Sequence, residues 1–303
     1  MTALGMSQQG APQAVPAPEP ERGRRRRRGS VGLYKRPGWL VYTVLGLSVA
    51  IFAYPLWWSF VVASGTNATR GQTLPFIPGP NFMKNVNEVL DAIPFWKALG
   101  NSLIVSTVVT ISVVSFSTLA GYAFAKLKFK GRDGLMIFVI ATMAIPTQLG
   151  IIPLFMVMRE LGWVGDIKAV IVPMLVTAFG VFLMRQYLAG VIPDELIEAA
   201  RVDGCNQIRT FWNVAVPAAR PAMAILALFT FMMAWTDFLW PMIVLNAGNP
   251  TLQTALANLQ SGYYIDYSIV LAGAVMATIP VLFLYIAAGK QLISGIMAGA
   301  VKG

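Results

Sequence analysis

The chain has 303 residues, of which 56% are hydrophobic and 12% are charged, and its formal net charge is +10. Several apolar runs reach the about 20 residues that a helix needs to cross a bilayer, which excludes an ordinary soluble domain. With one cysteine, Cys205, and no histidine, the chain cannot form an internal disulfide and lacks the commonest general base and metal ligand. Most enzymatic functions are therefore disfavoured.

The amino-terminal residues 1–38 contain the arginine run ERGRRRRRGS at 21–30. They hold too few apolar side chains to fold and too much like charge to collapse, so we predict a disordered basic tail. A full-length apolar run begins near Trp39, which favours an anchor retained in the membrane over a cleaved signal peptide. Beside such a span, the arginines indicate a cytoplasmic tail attracted to anionic lipid rather than a nucleic-acid-binding segment.

Six apolar segments follow the tail, and each is long enough at about 1.5 Å per residue to cross roughly 30 Å of hydrocarbon. They lack the strict alternation of barrel strands, so we predict helices, with internal prolines as kink points. The predicted spans are 39–63, 101–124, 135–157, 169–187, 222–245 and 268–289. We therefore expect an all-α membrane protein with six transmembrane helices in one domain, 39–303.

The basic residues between the spans predict the orientation of the chain. Eighteen of the 23 Lys and Arg residues lie in the two terminal tails and in alternate connections, whereas the other connections hold five. Cytoplasmic segments carry the excess of basic residues in membrane proteins. Both termini and the 188–221 connection are therefore predicted to be cytoplasmic.

That cytoplasmic connection contains PDELIEAARVDGCNQIRTFWNVAVPAARP (193–221), with four acidic and three basic side chains. Pro193 and Asp194 are typical of a helix start, and Gly204 is typical of the left-handed residue that follows a helix end. Asn206 can cap a second short helix before Pro217 and Pro221 lead back into the membrane.

The second short helix has apolar residues at helical spacing, and we predict that Ile208, Phe211 and Trp212 share one face. From the residues alone, two interpretations of this helix, turn, helix unit are open. It can be an amphipathic hairpin that anchors the loop at the membrane surface, or a docking unit for another protein.

The stretch EAARVDGCNQIRTFWNVAVP (198–217) is similar to the EAA motif of permease subunits of binding-protein-dependent ABC importers. That motif has Glu-Ala-Ala, three residues, Gly, nine residues and an end that resembles Ile-x-Leu-Pro, for which this chain has two valines and the proline. The residues assigned to ATPase coupling by this resemblance are Glu198, Ala199, Ala200, Asp203, Gly204 and Pro217.

Four further stretches resemble the carbohydrate-importer permeases of the maltose type, specifically the six-span partner subunit. They are NSL (101–103), AGYAFAKLKFKGRD (120–133), AWTDFLWPMIVL (234–245) and LISGIMAGAVKG (292–303). The resemblance implies the type I ABC importer fold, a bacterial inner-membrane location and a coupling helix in the 188–221 loop that docks on a cytoplasmic ATPase.

The resemblance also implies the partners of the chain. They would be a second homologous permease, two cytoplasmic ATPase subunits, an extracytoplasmic sugar-binding protein that meets the 246–267 loop, membrane lipid and a carbohydrate substrate. This chain contains no G-x-x-x-x-G-K-[ST] motif; the fragment AAGKQ (287–291) lacks the first glycine spacing and the Ser or Thr. ATP and magnesium are therefore expected on the partner subunits, with no cofactor in this chain.

The alternative is an ion-coupled secondary carrier for a neutral polar solute. Such carriers usually need several ionisable groups near the membrane midplane, and Asp237 is the only one well inside a predicted span. Helix-to-helix hydrogen bonding is the default role of polar residues such as Asn101 and Ser102. The candidate residues of a translocation path are Gln148, Trp235 and Asp237. An enzyme acting on lipid is disfavoured because acidic metal-binding clusters and histidine are missing from the sequence.

Overall fold

The computed structural model describes residues 38–66, 76–261 and 265–300, with side chains up to residue 286. The predicted tail, apart from Gly38, lies outside the described residues. Within the described part of the chain, all regular secondary structure is helical, as expected. The helices are α1 (Trp39–Ala63), α2 (Phe82–Ala92), α3 (Phe95–Lys126), α4 (Arg132–Met143), α5 (Ile151–Glu160), α6 (Lys168–Ile171), α7 (Ala178–Val191), α8 (Asp194–Val202), α9 (Gln207–Thr210), α10 (Val216–Thr236), α11 (Leu239–Val244), α12 (Leu252–Asn258) and α13 (Tyr267–Ala300).

The chain divides into two compact units, and the boundary falls within α1. The first unit ends at Phe52, and its described part is the amino-terminal half of this helix, with mostly exposed apolar side chains. The second unit, which begins at Ala53, contains all of the other helices and both buried apolar clusters.

Five helical segments of the described residues are long and apolar enough to cross a membrane. A sixth span results if α4 and the 147–160 segment are counted together, although these two are bent by 88°. The expectation of an all-helical protein with six spans is thus met when the bent pair is taken as one span.

The third predicted span, 135–157, is therefore broken rather than continuous. The α4 helix ends at Met143, and Pro146 has an extended backbone, with φ −59° and ψ 125°. A proline ring sterically disfavours the helical conformation of the residue before it, and the proline has no N–H with which to continue the helix. A short 3-10 turn, Thr147–Gly150, then leads into α5.

The fifth predicted span, 222–245, also differs from the structure. Helix runs without a gap from Gln207 to Thr236, through α9, a π-helical turn at Phe211–Ala215 and α10. In the π turn the Val216 N–H donates to the Phe211 carbonyl. This wider turn comes directly before Pro217, which cannot donate a hydrogen bond and whose ring would crowd an α-helical carbonyl. The second half of the 188–221 loop and the span are therefore one helix.

The α3 helix lies at the centre of the second unit and packs between α7 and α10. Val105, Val109 and Val113 of α3 are buried in the larger apolar cluster. At the crossing with α7, a Cβ atom on Gly121 would lie 2.6 Å from Met184 Cβ and 2.8 Å from the Arg185 nitrogen. Such close approach of two membrane helices requires a small residue.

Candidate coupling surface and its attachment

The α8 helix forms the first half of the helix, turn, helix unit that was predicted to be cytoplasmic and is named the cytoplasmic unit for that prediction. Pro193 precedes the helix in an extended conformation, and Asp194 and Glu195 lie in the first turn. Acidic side chains there interact favourably with the positive end of the helix dipole. The basic side chain of Arg201, in the last turn, interacts favourably with the negative end. The nine residues from Asp194 to Val202 form one continuous helix.

A left-handed glycine ends this helix, in agreement with the prediction for Gly204. Its φ is +78°, and its N–H donates to the Arg201 carbonyl at 3.0 Å. The next residue, Cys205, donates to the Ala200 carbonyl at 2.9 Å. This pair of bonds is the Schellman pattern, which satisfies carbonyls at the end of a helix. No atom lies within 4 Å of a Cβ placed on Gly204, so the constraint there is backbone conformation and not space.

The residues of the EAA motif divide between two faces of α8. Ala200 is only 8% exposed and Ile197 is buried in the larger apolar cluster. Glu198, Ala199 and Asp203 are exposed. The buried face attaches α8 to the membrane helices, and the exposed face presents two carboxylates with a small residue beside them.

The start of the second helix is capped as expected, because the Asn206 side-chain oxygen accepts from the Arg209 N–H at 2.8 Å. Ile208 and Trp212 are exposed. The prediction that Phe211 shares their face is wrong: this ring is 7% exposed and packs against Tyr122, with ring centroids 5.6 Å apart. Pro217 is exposed, directly after the π turn.

The carboxyl-terminal end of α3, which is its inner end in the predicted orientation, contacts both helices of the cytoplasmic unit. Tyr122 contacts Phe211, and its hydroxyl lies 3.3 Å from the Gln207 side-chain oxygen. One turn further along α3, Lys126 Nζ donates to the Asp194 carboxylate at 2.6 Å. This ion pair lowers the pKa of the Asp194 carboxyl.

The amino-terminal end of α3, which is its outer end in the predicted orientation, is attached to the segment 249–252 by polar groups. The buried Asn101 amide donates to the Pro250 carbonyl at 2.9 Å and to Asn249 Oδ1 at 3.2 Å. The Ser102 hydroxyl accepts from the Leu252 N–H at 2.8 Å. The default role given to these residues was hydrogen bonding between helices. Ser102 does bond to the first residue of another helix, α12, whereas Asn101 bonds to the loop that precedes it.

Two further bonds extend this outer attachment. Lys97 Nζ donates to the Gly248 carbonyl at 2.6 Å, and the Asn249 amide donates to the Gly165 carbonyl at 3.1 Å. The Gly165 N–H in turn donates to the Val244 carbonyl at 2.8 Å. Together these bonds fix the beginning of the 246–267 loop, which also contains α12.

The three candidate residues of a translocation path lie in different surroundings. Gln148 is exposed in the 3-10 turn at the bend between α4 and α5. Trp235 is buried in the smaller apolar cluster and stacks on Phe231, with centroids 5.7 Å apart. The Asp237 carboxylate accepts from the backbone N–H groups of Leu239 and Trp240 at the start of α11. A role of these residues in a path stays a prediction.

Sequence reasoning missed the attachment residues of α3. Tyr122 lies inside the AGYAFAK stretch that carries part of the resemblance, but no role was assigned to it. Lys126 was counted only for topology. A spacing of four residues, which places both on one helix face, was the available signal.

The described residues thus form a multi-span helical membrane protein, with a helix, turn, helix unit at one end of α3 and a hydrogen-bonded polar loop at the other end. Residues 114–291 match the family described as "Binding-protein-dependent transport system inner membrane component". The chain belongs to this family. It is a permease subunit of an ABC importer, which confirms the resemblance and favours the importer over the ion-coupled carrier.

Two curated relatives are similar over most of their length. The arabinooligosaccharides transport system permease protein AraQ of Halalkalibacterium halodurans is 35% identical over 271 residues, which cover 88% of this chain and 96% of the relative. The lactose transport system permease protein LacG of Rhizobium radiobacter is 30% identical over 269 residues, with 88% and 97% covered.

A solved structure has the same fold over most of this chain. It is the crystal structure of a bacterial ABC transporter involved in the import of the acidic polysaccharide alginate. One of its chains matches with a TM-score of 0.70 and 26% identity, over 84% of this chain and 95% of that one. The expected type I importer fold is confirmed.

Proposed function

We propose that this permease imports a carbohydrate, with ATP hydrolysed by partner subunits that dock on α8. The substrate class is supported by the names of the relatives, which concern arabinooligosaccharides and lactose, and by the alginate importer of similar fold. Relatives named for sn-glycerol-3-phosphate transport widen the class to small polyhydroxylated solutes. An oligosaccharide or disaccharide is the substrate that this set favours.

The observation that carries the docking proposal is the two-faced α8 helix. Its inner face is fixed by Ile197 and Ala200, whereas Glu198, Ala199 and Asp203 are exposed at its outer face. A helix held by one face, with a small residue between two acids on the other, can contact a groove with polar or basic walls. In a lipid anchor, by contrast, exposed carboxylates would meet the anionic inner leaflet unfavourably.

The proposed cycle is alternating access. ATP binding closes a pair of cytoplasmic ATPase subunits, which moves the α8 helix of this chain and its counterpart in a second, homologous permease. The spans then change from inward-open to outward-open, and an extracytoplasmic binding protein delivers the sugar at the 246–267 loop. ATP and Mg²⁺ bind to the ATPase subunits, and this chain contributes the path and the docking unit.

The proposed orientation places α8 and both termini in the cytoplasm of a bacterial cell, with the chain in the inner membrane. Its support is the bias of basic residues described above. An impermeant maleimide added to intact cells should label a cysteine in the 246–261 segment but not one at Ala199, in a Cys205→Ser background. Labelling of both positions, or of Ala199 alone, would contradict the orientation.

The docking proposal is tested by charge reversal on the exposed face. Glu198→Lys should abolish sugar uptake and weaken copurification of the ATPase, because it places a cation where the partner is expected to be polar or basic. The control is Asp133→Lys, which reverses another exposed acid, at the start of α4. If α8 were only a lipid anchor, Glu198→Lys would be harmless or slightly favourable.

Crosslinking supplies a direct measurement of the same contact. Ala199 is exposed, so Ala199→Cys should crosslink to the ATPase subunit, to an extent that changes with nucleotide. Ala200 is buried, and Ala200→Cys is the matched negative control one residue away. The absence of any crosslink at Ala199, together with normal uptake by Glu198→Lys, would end the coupling assignment.

The substrate class is tested with a complex of the permease and its partners in proteoliposomes. Stimulation of ATP hydrolysis should occur with a binding protein loaded with an oligosaccharide or disaccharide. Stimulation only by a binding protein loaded with an amino acid or a metal ion would contradict the carbohydrate proposal.

A further inference from the structure

Tyr122 is one of the most completely buried large side chains of the protein, with 2% of its surface exposed. It lies one helical turn before the end of α3, where the nearby glycine, Gly121, brings α3 into close contact with α7. Tyr122 therefore has a fixed position relative to two membrane helices.

The tyrosine reaches from this position to the helix that begins in the cytoplasmic unit. Its ring is tilted by 52° against Phe211 with centroids 5.6 Å apart, and its hydroxyl lies 3.3 Å from Gln207 Oε1. At 3.3 Å the hydrogen bond is long, so the contact between the rings contributes most of the interaction. Gln207 is the first residue of α9 and Phe211 follows its last residue, so the two contacts are one helical turn apart.

A second contact from the same face of α3 reaches the other helix of the unit. Lys126 lies four residues after Tyr122, and its side chain is 6% exposed although its partner, Asp194, is 81% exposed. Because the lysine side chain is buried, it holds the start of α8 in a fixed position relative to α3. One face of α3 thus contacts the first residue of α8 and the first turns of the α9 to α10 helix.

We infer that Tyr122 is a positioning residue that makes the cytoplasmic unit and α3 move together, so that a displacement of α8 reaches the centre of the membrane domain. This role rests on the proposed function of α8 as the ATPase-docking helix. The α3 helix is continuous for 32 residues and is packed between α7 and α10. A displacement at its inner end is therefore transmitted along a stiff element rather than absorbed by a loop.

The exposed acids of α8 contact the partner in this scheme, and Tyr122 contacts neither partner nor substrate. Loss of the tyrosine should leave ATP hydrolysis possible but make it less productive. A merely structural role would lower hydrolysis and uptake equally, because both scale with the amount of assembled complex. The number of ATP molecules hydrolysed per sugar transported separates the two roles.

The experiment uses the complete transporter, with its second permease, ATPase and binding protein, in proteoliposomes. Tyr122→Leu should raise the ATP-to-sugar ratio by about twofold to tenfold, the range that corresponds to the loss of one aromatic pair. Tyr122→Phe keeps the ring and should stay within about twofold of the unmodified complex, since the lost hydroxyl bond is long. The matched control is Tyr187→Leu, a half-buried tyrosine of α7 packed against the same apolar cluster, which should leave the ratio unchanged.

The same contact can be broken from the other side. Phe211→Leu should raise the ratio as Tyr122→Leu does, and the double variant should not exceed the larger single effect, because both remove one interaction. An unchanged ratio in Tyr122→Leu and Phe211→Leu would overturn the inference. Failure of both variants to assemble would assign the contact to folding and would also overturn it.

The Ala199→Cys crosslink distinguishes this inference from the function on which it rests. If the crosslink forms and the ratios do not change, α8 still docks on the ATPase and only the role of Tyr122 is wrong. If the crosslink does not form in the otherwise unmodified complex, the docking proposal itself fails.

Discussion

The two ends of α3 are attached to the rest of the chain by different chemistry. At the inner end, an aromatic pair and a buried lysine connect α3 to other helices. At the outer end, amide and hydroxyl groups of Asn101 and Ser102 bond to the backbone of the segment 249–252. Helix-to-helix contacts of large side chains can transmit a movement, whereas bonds to loop backbone fix the shape of a surface.

This difference agrees with the proposed tasks of the two sides. The inner side would receive a displacement from the ATPase, and the outer side would present an ordered loop to a binding protein. Hydropathy alone makes the two ends of α3 look alike, because both continue the same apolar helix.

The largest expected effect comes from Gly121, near the inner end. Gly121→Ala should destabilise the protein by about 3 kcal/mol or more, because the added methyl would overlap Met184 and the backbone of Arg185, which cannot move aside cheaply. Gly100→Ala, near the outer end, is the matched control: no atom lies within 4 Å of its added Cβ, so it should be neutral or slightly stabilising. Thermal unfolding of the purified protein in detergent measures both. Equal loss in the two variants would show that α3 and α7 do not cross closely at Gly121.

An intermediate effect is expected from Asn101 at the outer end. Asn101→Leu should cost about 1–3 kcal/mol, because it leaves the Pro250 carbonyl without its donor at a buried position. The expected functional result is weaker stimulation of ATP hydrolysis by the loaded binding protein, with unstimulated hydrolysis retained. Lys97→Met removes an exposed bond to the same loop and should change stability by less than about 1 kcal/mol. A larger effect from Lys97→Met than from Asn101→Leu would reverse this ranking.

The smallest effect concerns the ion pair between Lys126 and Asp194. Because Lys126 lowers the pKa of the Asp194 carboxyl, the pair stabilises the folded state at pH values above the ordinary aspartate pKa of about 3.9. This contribution is lost as the pH falls through the lowered folded-state value. Asp194→Asn should therefore lower the thermal midpoint slightly at neutral pH, and the difference should vanish in acid. A difference that is the same at every pH would exclude the charge as its cause.

The sequence contained enough information to predict the helices and the turn of the cytoplasmic unit closely. Pro193, Gly204 and Asn206 act locally, through backbone conformation and capping, and the structure has each of them in its predicted place. The same local rules did not predict the direction of Phe211, because its burial depends on Tyr122, which is distant along the chain.

The number of spans was predicted better than where each span begins, ends or bends. Apolar length indicated a third span but not the 88° break after Met143, and the presence of a proline does not by itself predict such a break. Pro221 lies inside α10 and Pro55 inside α1, and both of these helices continue. The hydrogen bonds at the outer end of α3 could not be predicted from local sequence either, because they join residues about 150 positions apart, such as Ser102 and Leu252.

The unbroken helix from Gln207 to Thr236 constrains how relatives of this chain can change in length during evolution. One inserted residue in an α-helix turns everything beyond it by about 100°, since each turn holds about 3.6 residues. An insertion between the π turn and Thr236 would therefore rotate the buried face of α10 away from α3, whereas an insertion in a connection between two helices rotates neither of them about its own axis. Length differences among homologues should therefore accumulate in the connections between helices and be rare between Gln207 and Thr236.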